Sequence, residues 1–76
     1  MSWADMRQLI TGRYGEVEIG GGQVNGSLTV VVFASIEGQT FTIVSRDASN
    51  WSCMLAVGSG WEPGANPALP VPETSL

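Results

Sequence analysis

Residues 28–45 read LTVVVFASIEGQTFTIVS, two runs of β-branched and aromatic residues joined at Glu37-Gly38. Such runs suit the pleated surface of a sheet, and a glycine in the turn supplies the positive φ that a two-residue hairpin loop requires. The register follows from that turn: Ile36 opposes Gln39, Ala34 opposes Phe41 and Val32 opposes Ile43. Alternation then gives the hairpin two faces, both partly apolar. Leu28, Val30, Val32, Ala34, Ile36, Phe41 and Ile43 share one face, which carries the larger apolar set and is the expected core, covered by a helix. Thr29, Val31, Phe33, Ser35, Thr40, Thr42, Val44 and Arg46 share the other, where Val31, Phe33 and Val44 form an apolar island that a lone chain gains nothing by exposing.

That second face matters because the chain is short. Its 76 residues make one domain, and a chain of this length buries only about 60–65% of the surface its unfolded form exposes. A core of this size seldom supplies more than about 3–5 kcal/mol, so small natural domains add disulfides, a metal or a partner chain. One cysteine and no histidine leave association as the available support.

Ahead of the hairpin, SWADMRQLITG (residues 2–12) has the marks of a helix. Ser2 is a favourable N-cap, Asp5 stands at the capping-box position, and Met1 and Met6 occupy the staple positions. Trp3, Met6 and Ile10, with Leu9 beside them, form one apolar stripe, and Gly12 is a natural stop. Residues 14–19, YGEVEI, alternate as an edge strand with Val17 and Ile19 on one side and Glu16 and Glu18, expected in solvent, on the other. GGGQVNGS (residues 20–27) reads as a mobile connection.

After the hairpin, DASN (residues 47–50) is a loop and residues 51–57, WSCMLAV, a last strand. A four-residue loop places Trp51 on the Arg46 side. A five-residue loop starting at Arg46 instead places Trp51, Cys53 and Leu55 over the larger apolar face and lets Met54 join the apolar island, and it is preferred because it buries the larger apolar set. Beyond Trp61, the expected anchor, all four prolines fall in the last 14 residues, which excludes a helix or a central strand there. The expected architecture is therefore α+β: a short N-terminal helix on one face of a four-stranded, mainly antiparallel sheet over residues 1–61, then an extended Pro-rich tail over residues 62–76.

Several chemistries are disfavoured by composition. Without histidine or lysine there is no Cys–His or Ser–His pair and no lysine nucleophile, and one cysteine makes no metal cage, so neither an enzyme nor a cofactor is expected. Cys53, inside an apolar run, is expected to be a buried packing residue. The glycine clusters lack phosphate-loop spacing. Seven acids against three arginines, a net charge of −4, is the wrong balance for gripping a phosphate backbone, and the acids are too scattered to imitate one. No stretch approaches the roughly 20 apolar residues that span a bilayer, and nothing resembles a secretory signal, so a cytoplasmic home without membrane contact is expected.

The function class left is protein binding. The expected partner-binding residues are Val31, Phe33 and Val44, with Arg46 at the rim and Met54 joining from the last strand. The expected activity is that of a non-enzymatic inhibitor, adaptor or accessory protein, of the kind bacteria and mobile elements carry, which forms a homo-oligomer or caps a larger partner through its sheet. The bacterial setting is analogy from form. The rival class is a small-ligand or catalytic domain whose site, built from Arg13, Tyr14 or the carboxylates, forms between subunits.

Overall fold

The computed structural model describes residues 1–62; the Pro-rich stretch over residues 63–76 lies outside the described residues. One short helix and a four-stranded antiparallel sheet make an α+β fold. Helix α1 spans Trp3–Gln8 and continues as a wider π turn over Leu9–Arg13; strands β1 (Glu16–Asn25), β2 (Leu28–Ser35), β3 (Thr40–Asp47) and β4 (Ser52–Ser59) follow in a simple meander, in spatial order β1-β2-β3-β4.

The helix starts as the sequence indicates. Ser2 has extended dihedrals and its side chain accepts a hydrogen bond from the Asp5 N–H at 3.1 Å, satisfying one of the free donors of the first turn. It ends later than expected, because Gly12 remains inside the π turn. The change of direction into β1 comes at Gly15, whose φ of +68° is open to glycine and costly for other residues.

The hairpin register holds, with Ala34 opposite Phe41 and Val32 opposite Ile43. The turn is wider than two residues: Ile36 through Gln39 lie between the strands, and the Ser35 hydroxyl accepts from the N–H groups of Gln39 and Thr40. Ile36 is consequently exposed and belongs to neither face. Strand β1 also differs, running through the glycines expected as a mobile connection, with Gly20, Gly21 and Gly22 opposite Val32, Val31 and Val30. Glycine is required at Gly21, where a Cβ would stand 2.3 Å from the Val30 carbonyl oxygen. The strand yields only at the Gly26-Ser27 turn, where Asn25 Oδ1 accepts from the Ser27 N–H.

The largest correction concerns the faces. The helix covers the face expected to meet a partner, and its stripe of Met6 and Ile10 packs with Val31, Phe33 and Val44 into the buried core, with Trp3 against it. Trp3 and Phe33 meet with ring centroids 6.0 Å apart at a tilt of 45°. The face carrying Val30, Val32 and Ile43, expected to be the core, is left without a helix.

The buried polar residues of the closed face, Glu16, Thr42 and Ser52, explain why it tolerates burial, since each has a partner. Thr42 donates its hydroxyl to Glu16 at 2.8 Å, the Ser52 hydroxyl and N–H both reach the Met1 carbonyl, and the Arg46 guanidinium lies 4.9 Å from the Trp3 ring centroid. The Trp3 N–H donates to the Asn50 carbonyl and Ser2 bridges Trp51, so the β3–β4 loop holds the start of α1 over this face.

Candidate functional site

Of the five residues expected to form a docking surface, Val31, Phe33 and Val44 are 4%, 0% and 0% exposed beneath α1, which removes them as a contact surface. Arg46 is half-buried against Trp3. Met54 falls on the expected face and is exposed at the rim of that helix-covered face on β4, but the register differs from the preferred one: Arg46, expected in the loop, pairs with Ser52, which sets Met54 opposite Val44. The reason for the exchange is long-range: the polar side chains that made this face resemble a surface are satisfied by Met1, Trp3 and Glu16, none of which belongs to the hairpin.

The free apolar surface is the opposite face. The pairing registers assemble Val17 of β1, Val30, Val32 and Ala34 of β2, Phe41 and Ile43 of β3, and Cys53 and Ala56 of β4 on one side. Apart from Asp47 at the corner opposite Leu28, the paired positions there carry no charge. Within the central strands Val30, Val32, Phe41 and Ile43 are half-buried and Ala34 is buried, whereas Val17 at the edge is 44% exposed. Cys53 is exposed on this side, a correction to its expected burial; it pairs with Ser45 at the edge of the sheet, where no element covers it.

One end of the open face has partial cover. Trp61, half-buried, packs on Phe41 with ring centroids 5.5 Å apart, and Phe41 lies so close over Gly58 that a Cβ there would stand 2.6 Å from its ring. Trp61 thus acts as an anchor, and with Val17, Ile19, Ala34 and Ile36 it lines a cleft of about 470 Å³.

Both outer strands are irregular. β1 is bulged around Ile19 and Val24, and β4 at Leu55, the extra residue between Met54 opposite Val44 and Ala56 opposite Ile43. That bulge exchanges the sides expected for Ala56 and Val57. Bulges bend a strand and interrupt its row of free backbone groups, so these edges are poor templates for a further strand.

Two recesses lie beside the helix. One, of about 600 Å³, runs between Trp3, Arg7 and Arg46 and the glycines of β1, with Glu18 on its wall. The other, of about 410 Å³, opens beyond the end of the helix between Tyr14, Thr40 and Val57 and reaches Glu16. Glu16 is 2% exposed, against the expectation that it stands in solvent. The alternation of YGEVEI correctly puts Glu16 and Glu18 on one side but is silent on what covers it, and the partner of Glu16, Thr42, lies 26 residues further on.

No family model matches the chain, and no curated protein or solved structure matches it. Among the described residues no cluster of three histidine, cysteine, aspartate or glutamate side chains is placed to hold a metal ion, and no helix is long and apolar enough to cross a membrane.

Proposed function

We propose that this protein is a non-enzymatic protein-binding module that works through the open face of its sheet, and that the face is occupied by a second copy of the chain. The observation that carries the reading is the asymmetry of cover: the helix closes one face, while Val17, Val30, Val32 and Ile43 present an apolar, almost uncharged surface on the other. Burying such side chains gains roughly 1.5–3 kcal/mol each if they were fully exposed beforehand, and less for the half-buried ones in the central strands.

A second copy fits for three reasons. Edge pairing is discouraged by the bulges in β1 and β4, which leaves face-to-face stacking, as in a sandwich of two sheets about 10 Å apart. Four strands of this length offer a face of roughly 20 by 25 Å, on the order of 500 Å² per copy, so a two-fold pair reaches the ~1,000 Å² at which specific interfaces begin. The net charge of −4 does not oppose the contact, because the charged side chains lie mainly on the helix side and in loops. An area at the lower limit implies a weak dimer that forms with rising concentration.

Light scattering across a concentration series, combined with the labelling rate of Cys53, tests this. Cys53 on the open face should react quickly with a thiol reagent in dilute solution and more slowly as the dimer forms. Val32→Glu, in the middle of that face, should stay folded and monomeric at every concentration. A wild-type chain that remains monomeric with concentration-independent labelling at high micromolar concentration removes the second copy as occupant.

A further inference from the structure

We infer that the recess at Glu16 is a binding site for an organic cation carried on an apolar stem, an alkylammonium or guanidinium group. Glu16 opens β1 and its side chain is 98% withdrawn from solvent, as its 2% exposure states. Its hydrogen bond comes from the Thr42 hydroxyl, which reaches Oε1 at 2.8 Å. Every fully enclosed side-chain nitrogen or oxygen among the described residues has a hydrogen-bond partner. Oε2, for which the described residues supply none, is therefore the atom through which the carboxyl meets the recess.

A carboxylate removed from water is costly unless a cation and further hydrogen bonds compensate it. A neutral hydroxyl on one oxygen leaves that compensation incomplete, and the described residues place no arginine in an ion pair with Glu16. The volume of about 410 Å³ lies within the range of small-ligand sites. Its walls suit the proposed ligand: a cationic head at Oε2, an alkyl stem along Val57, and the Tyr14 ring at the mouth, where a cation passing over an aromatic face is favoured. Glu16, Thr40 and Val57 lie on the helix-covered side of the sheet, and the recess also reaches Phe41 and Gly58 at the end of the open face, away from Val32 at its centre. The same chemistry is offered by a free amine and by a lysine or arginine side chain of another protein.

Nuclear magnetic resonance titration of the full chain with n-butylammonium, with n-butanol as the neutral isostere and Nα-acetyl-lysine amide as the side-chain mimic, distinguishes these. Butylammonium should give saturable shifts at Tyr14, Glu16 and Thr42 in the millimolar range, and Glu16→Gln, which keeps an acceptor for Thr42, should weaken it at least tenfold. Val57→Trp, at an exposed position on the wall, should fill the recess and abolish binding without relying on Glu16→Gln to fold. Tighter binding of the lysine mimic supports the site with a protein side chain as its source, and tighter binding of butylammonium supports it with a free amine. Equal binding of butanol, or unchanged affinity in both variants, overturns the inference.

Discussion

The two faces of the sheet make opposite use of their apolar residues. The face with fewer of them, Val31, Phe33 and Val44 among threonines, serines and an arginine, is the one the helix closes. The face with more of them is open. Apolar count therefore does not choose which side is covered; what chooses is whether the covering segment can satisfy the polar groups it buries. Here Met1, Trp3 and Glu16 do so for Ser52, Arg46 and Thr42, at little net energy per bond but with a large penalty avoided.

The sharpest way to break this comparison uses two adjacent residues of β2 that point to opposite sides. Phe33→Glu places an unpaired charge in the closed core and should unfold the chain, and even Phe33→Ala should cost about 3–5 kcal/mol, as much as a core of this size supplies. Val32→Glu should leave β-sheet circular dichroism intact and affect only association. If the two variants behave alike, the faces are not distinct.

Gly21→Ala comes next. Its Cβ would meet the Val30 carbonyl, a backbone atom that cannot rotate aside, so β1 must shift from β2 at a cost of about 1–3 kcal/mol in denaturant unfolding. Gly58→Ala on the open face meets only the Phe41 ring, which can move towards Trp61, and should cost less. Ser52→Ala sharpens the comparison from the polar side. Losing the bond to the Met1 carbonyl at 2.9 Å should lower stability by about 1 kcal/mol, because the serine is buried and the Ser52 N–H still serves the same acceptor.

The smallest effect lies in the loop that ties the helix down. The Ser49 hydroxyl, and after it the Trp51 N–H, hold the Asp47 carboxyl below its ordinary value of 3.8; desolvation opposes them and the Ser49 N–H adds to them. A carboxyl lowered in the folded state contributes stability that is present above 3.8 and is lost as pH falls through the lowered folded value. Thermal melts carried from neutral into acid pH should show that loss in the wild type and less of it in Asp47→Asn. Identical pH profiles would mean the loop does not hold the closed face.

Much of this fold was legible in local pattern. The N-cap at Ser2, the stripe of Trp3, Met6 and Ile10, the alternation from Leu28 to Arg46 and the pairing of Ala34 with Phe41 depend on near neighbours, and each stands in the structure. The side taken by Met54 also follows from the preferred loop, although Arg46 pairs with Ser52 instead of standing in that loop and the bulge at Leu55 reverses Ala56 and Val57. Glycine misled at residues 20–22, because its low strand propensity says nothing about a partner strand that can carry it. The candidate site was the least legible: its residues were grouped correctly onto one face, but that face is the buried one.

By itself the sequence determined, for the strands between Leu28 and Arg46, which residues share a side of the sheet, because an unbulged strand turns each successive side chain to the opposite side regardless of what lies beyond. It also determined the chemical poverty of the chain, without histidine or lysine and with one cysteine. Only the tertiary structure decided which side the helix covers, and with it that Phe33 and Glu16 are buried and Cys53 is exposed. The physical reason is that cover depends on long-range closure: the turn at Gly15, the contacts of Met1 and Trp3 with residues about fifty positions away, and the pairing of Glu16 with Thr42. None of these leaves a periodic trace in the chain.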